Sequence, residues 1–131
     1  MGAVNWLAVG LGTLAFFGVG ALWYGVLFGK AWQRAAGVTE APSGAVIGRI
    51  MLLTLVCEGL VVSMLGHLIA RTGPTPHVVL MMAFGFGATI MTPAIGINYL
   101  HQRRSLALFL IDAGHFIVGT LAAGAVFIWL G

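Results

Sequence analysis

"LALFLIDAGHFIVGTLAAGAVFIWL" (Leu106–Leu130) decides the fold. A helix crosses the hydrocarbon layer with roughly 20 apolar residues at about 1.5 Å each, and this stretch is long and apolar enough. Two residues break the pattern. Asp112 and His115 lie three apart, so a helix carries both on one face. An ionisable side chain inside a span is costly unless it is paired, neutralised or wet, and each one marks a candidate site.

Working outward, three more stretches have the same character: about Val4–Phe28, Ile47–Ala70 and His77–Tyr99. The whole chain is 60% hydrophobic and only 7% charged. A water-facing domain carries about 25% charged residues, so lipid is the solvent these proportions suit. The runs lack strict alternation and are too long for barrel strands, which leaves helices. The expected fold is therefore all-α: one domain over residues 1–131, a bundle of four transmembrane helices.

The breaks between spans carry charge or helix breakers. "GKAWQRAAGVTEAPSG" (Gly29–Gly44) reads as the main interfacial loop, "RTGPTP" (Arg71–Pro76) as a tight turn and "HQRRS" (His101–Ser105) as a basic hairpin. Lys30, Arg34, Arg49, Arg103 and Arg104 fall on one side, and Arg71 alone on the other. That asymmetry places loops one and three in the cytoplasm and both termini outside. The first span lacks a basic leader and exceeds a signal core, so a retained helix is expected. The basic residues follow topology, and no nucleic-acid partner is expected. Trp23, Tyr24, Phe28, Lys30, Trp32, Arg34, Arg103 and Arg104 form an expected cytoplasmic collar against membrane lipid.

The 20 glycines are about twice the usual share. In lipid, helices associate by close backbone approach, so small residues mark contacts. Ala21, Gly25 and Gly29 recur every four residues, and Gly44 and Gly48 repeat the spacing; these are the expected packing positions. Ala83–Gly87, Gly119–Ala123 and Thr120–Gly124 are further pairs. The small faces exceed what one four-helix core needs, which points to a homo-oligomer or to other membrane subunits.

Counting depth places Glu58 near the middle of the second span and His115 at a similar level. Thr89 and Thr92, just before Pro93, fall in the same layer. The expected site is a polar cluster of Glu58, Asp112, His115, Thr89 and Thr92. It serves as a hydrogen-bonded fastening between helices, as an ion or proton path, or as metal ligands. The first is preferred, and no metal or cofactor is expected. Cys57 has no partner spacing for zinc or a disulfide. Neither a Ser–His–Asp arrangement nor a phosphate-binding glycine motif is legible, and the expectation is no enzyme.

Two stretches carry a resemblance. "GALWYGVLFGKAWQRAAGVTE" closes the first span, and "NYLHQRRSLALFLIDAGHFIVGTLAAGAVFIW" covers the last hairpin and helix. Through Trp23, Tyr24, Phe28, Gly29, Lys30, Trp32, Asn98, Tyr99, Asp112 and His115 the chain resembles the small bacterial membrane proteins grouped as domain of unknown function 1761. The resemblance implies four helices and a bacterial inner (plasma) membrane. It also implies that Asn and Tyr stand in for Asp112 and His115 elsewhere in the family, which weighs against a metal or proton site. It implies no activity. The expected function is a structural or accessory membrane subunit acting by self-assembly or within a larger complex. The alternative is a small oligomeric transporter or channel that uses Glu58, Asp112 and His115.

Overall fold

The computed structural model describes residues 2–38, 40 and 42–131. Residues 1, 39 and 41, part of the expected single domain and of the Gly29–Gly44 loop, lie outside it. Every regular element among the described residues is helical. Four helices are long and apolar enough to cross a membrane: α1 (Trp6–Leu27), α3 (Gly44–Thr72), α4 (Pro76–His101) and α5 (Leu106–Leu130). A short amphipathic helix, α2 (Gly29–Ala36), lies between α1 and α3.

The starts are set by local chemistry. The side chains of Asn5, Ser43 and Ser105 accept from the amides of Ala8, Val46 and Leu108, which satisfies donors that a first turn leaves unpaired. Pro76 opens α4, where its missing N–H costs nothing. Gly37 (φ 73°) and Gly73 (φ 55°) end α2 and α3 in the left-handed conformation that glycine adopts without strain.

Two π-helical turns interrupt the spans, at Trp23–Leu27 in α1 and at Phe86–Met91 in α4. The second runs up to Pro93. Proline has no N–H to give and its ring crowds the preceding turn, so the local register opens. The Thr92 hydroxyl donates to the Gly87 carbonyl at 2.7 Å, beside the Thr92 amide that bonds the same carbonyl across the π turn.

α5 organises the bundle, with α1 along one side and α4 along another, while α3 is held chiefly by α1. Close approach explains why. Gly87 of α4 faces Thr120 and the Ile117 backbone, and Gly124 of α5 faces Ala83; a Cβ on Gly87 would stand 2.6 Å from the Thr120 hydroxyl. The Ala83–Gly87 and Thr120–Gly124 pairs legible in the sequence therefore pack against each other. On the α1 side, Phe16 is fully buried against Gly119, and Gly12 faces Ala123. Gly66 of α3 receives Val9 and Phe127.

The expected packing positions behave differently. Ala21, Gly25, Gly44 and Gly48 are exposed, and a Cβ on Gly25, Gly44 or Gly48 would meet nothing within 4 Å. Gly29 is close only to the Tyr24 carbonyl of its own segment. The π turn is the reason on α1: it breaks the four-residue alignment of Ala21, Gly25 and Gly29. Gly44 and Gly48 occupy the first turns of α3, which have no helix alongside.

The expected loop at Gly29–Gly44 is also corrected in part, because α2 occupies its first half. Phe28, Trp32, Ala35 and Ala36 turn inward while Lys30, Gln33 and Arg34 stay exposed. Eight residues are too few for a span-sized apolar window to reveal such a helix.

Candidate functional site

Polar side chains gather where α1, α4 and α5 meet, towards the end of the bundle that carries α2. Asp112 is the centre. It is 7% exposed, and both carboxylate oxygens are used. The Tyr24 hydroxyl of α1 donates to Oδ1 at 2.5 Å, and the Tyr99 hydroxyl of α4 donates to Oδ2 at 2.5 Å. Bonds this short are characteristic of hydroxyl donors to a carboxylate and are stronger than neutral ones. One acid on α5 thus ties three helices.

A second tie lies beside it. The Trp23 indole N–H donates to the Ile111 carbonyl at 2.8 Å. The ring lies over Gly114, whose absent side chain makes the room: a Cβ there would stand 2.8 Å from Trp23 Cζ2. The sequence grouped Trp23 and Tyr24 with the interfacial collar. They point instead into the bundle and hold α5. Phe28 and Trp32 pack behind them, one tilted and one edge-on, with ring centroids 4.9 Å from Trp23 and 5.9 Å from Tyr24 respectively. Lys30, Arg34, Arg103 and Arg104 are exposed at the same end.

Further into the bundle, Glu58 and His115 meet. Glu58 is midway along α3, and His115 is one turn beyond Asp112 on α5. His115 Nε2 lies 3.7 Å from Glu58 Oε2, within ion-pair distance and beyond hydrogen-bond length. Both residues are buried, at 6% and 5% exposure. Glu58 Oε1 and both imidazole nitrogens are buried without a hydrogen-bond partner. Aromatic rings wall the imidazole: Phe16, Tyr24 and Phe116 have centroids 5.6, 5.1 and 5.1 Å away. Gly20 lets the ring approach α1, since a Cβ there would lie 3.0 Å from Nε2.

The expected cluster of five therefore divides. Glu58 pairs with His115, and Asp112 with two tyrosines. The threonines join neither. The Thr89 hydroxyl donates to the Gly85 carbonyl and is exposed, and Thr92 serves Gly87 in its own helix. Among the described residues no three His, Cys, Asp or Glu side chains converge on one point. Tyr99 belongs to the site although the sequence marked it only as a span end and as part of the resemblance. Tyr99 lies two residues from the end of α4 and Asp112 six into α5, about 3 Å against about 9 Å of helix rise, so the reach of the tyrosine side chain brings them together and the depth count gave no signal.

The family model described as "Protein of unknown function (DUF1761)" matches residues 7–128, and the chain belongs to that family. No curated protein and no solved structure matches it.

Proposed function

We propose that this family member is a small integral membrane protein of the bacterial inner membrane, with both termini outside, that works as a structural or accessory subunit. The observation that carries the reading is a set of small residues facing away from their own bundle. Ala21, Gly25, Gly44 and Gly48 all lie near the end where α1 finishes and α3 begins, and no side chain of the chain covers the three glycines. Such surfaces let a neighbouring helix approach closely, which is how helices associate in lipid. A second copy of the chain, or a helix of a larger complex, fits there. The Asp112 clasp supports the same reading, because it spends its acid on holding helices together. Chemical crosslinking in native membranes and mass measurement after mild extraction test it. A defined multimer or complex is expected, lost when Gly25 and Gly48 are both changed to Leu. A monomer in the intact membrane refutes it.

One observation favours a second reading. Glu58, His115, Tyr24, Asp112 and Tyr99 are neighbouring protonatable groups from mid-bundle to the basic end, hydrogen-bonded from Tyr24 through Asp112 to Tyr99 and in ring or ion-pair proximity before that. In a small transporter this series would carry protons. Proton flux in proteoliposomes, abolished by Glu58→Gln, is the expected result on that reading. Flux unaltered by the substitution sinks it.

A further inference from the structure

The basic end holds a cleft that neither reading uses. It lies between the end of α2 and the 102–105 hairpin, lined by Arg34, Gly37, Gln102, Arg103, Arg104 and Ser105 among others. Three arginines thus line one opening. The chain has three acids. Glu58 and Asp112 are buried in the bundle, and the one ion pair among the described residues joins Glu58 to His115. The third acid, Glu40, is exposed three residues beyond Gly37, and among the described residues none of the three arginines is ion-paired with it.

The cleft is also held in shape. Arg104 Nη1 donates to the Ala36 carbonyl at 3.1 Å, and Nε donates to Gln102 Oε1 at 3.3 Å. These use two of the five donors of that guanidinium and fix the hairpin to the end of α2. Arg103 has a positive φ of 56°, the sole non-glycine case among the described residues. Backbone in that region is unfavourable for a side chain with a Cβ and is sustained by its surroundings. Apolar side chains flank the hairpin on both sides: Leu100 is 78% exposed and Leu106 is 70% exposed.

We propose that this cleft binds the phosphate-bearing headgroup of an anionic phospholipid. The guanidinium fork matches phosphate oxygens in charge and geometry. Leu100 and Leu106 lie where the acyl chains of such a ligand would run along α4 and α5. The adjoining apolar surface decides for a lipid over a free anion, which would gain nothing from it. Bound lipid brings α2 and the hairpin under one counter-charge and seals the basic end of the bundle.

The test is native mass spectrometry of the full chain in mild detergent, titrated with phosphatidylglycerol or phosphatidylcholine. Phosphatidylglycerol adducts are expected to survive at lipid concentrations where phosphatidylcholine adducts do not. Each basic contact near a headgroup contributes about 1 kcal/mol, so an R34Q/R103Q variant is expected to weaken phosphatidylglycerol retention about 30-fold. R49Q removes a basic residue outside the cleft lining and is expected to leave retention within about twofold. Circular dichroism and a melting curve on each variant verify the fold, and R104Q supplies a second variant if the double one does not fold. Equal retention of the two lipids overturns the proposal, as does an equal loss in R49Q. Inorganic phosphate is expected to displace no more lipid than chloride at the same ionic strength. Selective stripping by phosphate would show that the cleft reads the anion alone, against the proposal.

Discussion

Removing both donors from Asp112 without removing its charge isolates what the clasp contributes. Asp112 is 7% exposed, and Y24F/Y99F takes from its carboxylate both hydroxyl donors, each at 2.5 Å. A hydrogen bond to a charged group contributes about 1.5–3 kcal/mol in water-soluble proteins. Interhelical bonds in membranes average less, about 0.6 kcal/mol with a maximum near 1.7, because the separated helices find other partners. The short, charge-assisted geometry puts each tyrosine at the upper part of that range, so each single substitution is expected to cost about 1–1.7 kcal/mol. The double variant is expected to exceed the sum, because the second loss orphans a buried acid. Adding Asp112→Ala then removes the orphan and leaves only a small void. The triple variant Y24F/Y99F/D112A is therefore expected to be more stable than Y24F/Y99F by roughly 1–3 kcal/mol. Reversible unfolding in mixed micelles, followed by circular dichroism, measures all four species. A triple variant no more stable than the double one would refute the account of Asp112 as an acid whose burial depends on two hydroxyls.

Other substitutions test the packing. Gly87→Ala would push a methyl against the Thr120 hydroxyl and the backbone of Phe116 and Ile117, which cannot give way; a loss of about 1–3 kcal/mol in the same assay is expected. Gly18→Ala meets nothing within 4 Å and is expected to be neutral or to add up to about 1 kcal/mol through helix propensity. Trp23→Phe drops the bond to the Ile111 carbonyl, which is expected to cost about 1 kcal/mol and to be visible as greater hydrogen exchange in the first turns of α5. Thr89→Val and Thr92→Val change hydroxyls that bond only within α4, and shifts under about 0.5 kcal/mol are expected from thermal melts.

Four spans, and the depth of each polar group in them, follow from hydropathy and helix rise. The Ala83–Gly87 and Thr120–Gly124 pairs are legible as small faces, but that they meet each other is seen only in the packing. Helix rotation does not follow. Asp112 and His115 share a face, yet only packing decides that one meets tyrosines and the other meets Glu58. Tyr24 and Trp23 show why. An aromatic ring with a polar tip suits a membrane interface, and it suits a buried carboxylate or carbonyl equally well. Ala21, Gly25 and Gly29 fail as an intrachain seam because a π turn interrupts the ideal period on which the pattern was counted.

The central place of α5 has a consequence for biogenesis. Translation delivers α1, α3 and α4 before the helix that organises them. Until α5 emerges, Tyr24 and Tyr99 have no common acceptor and Glu58 has no imidazole beside it. The earlier segments must wait with those groups unmatched. The clasp and the Glu58–His115 contact then form only when one segment arrives. A chain cut before Leu106 would keep α1, α3 and α4 yet lack the acid and the imidazole that join them.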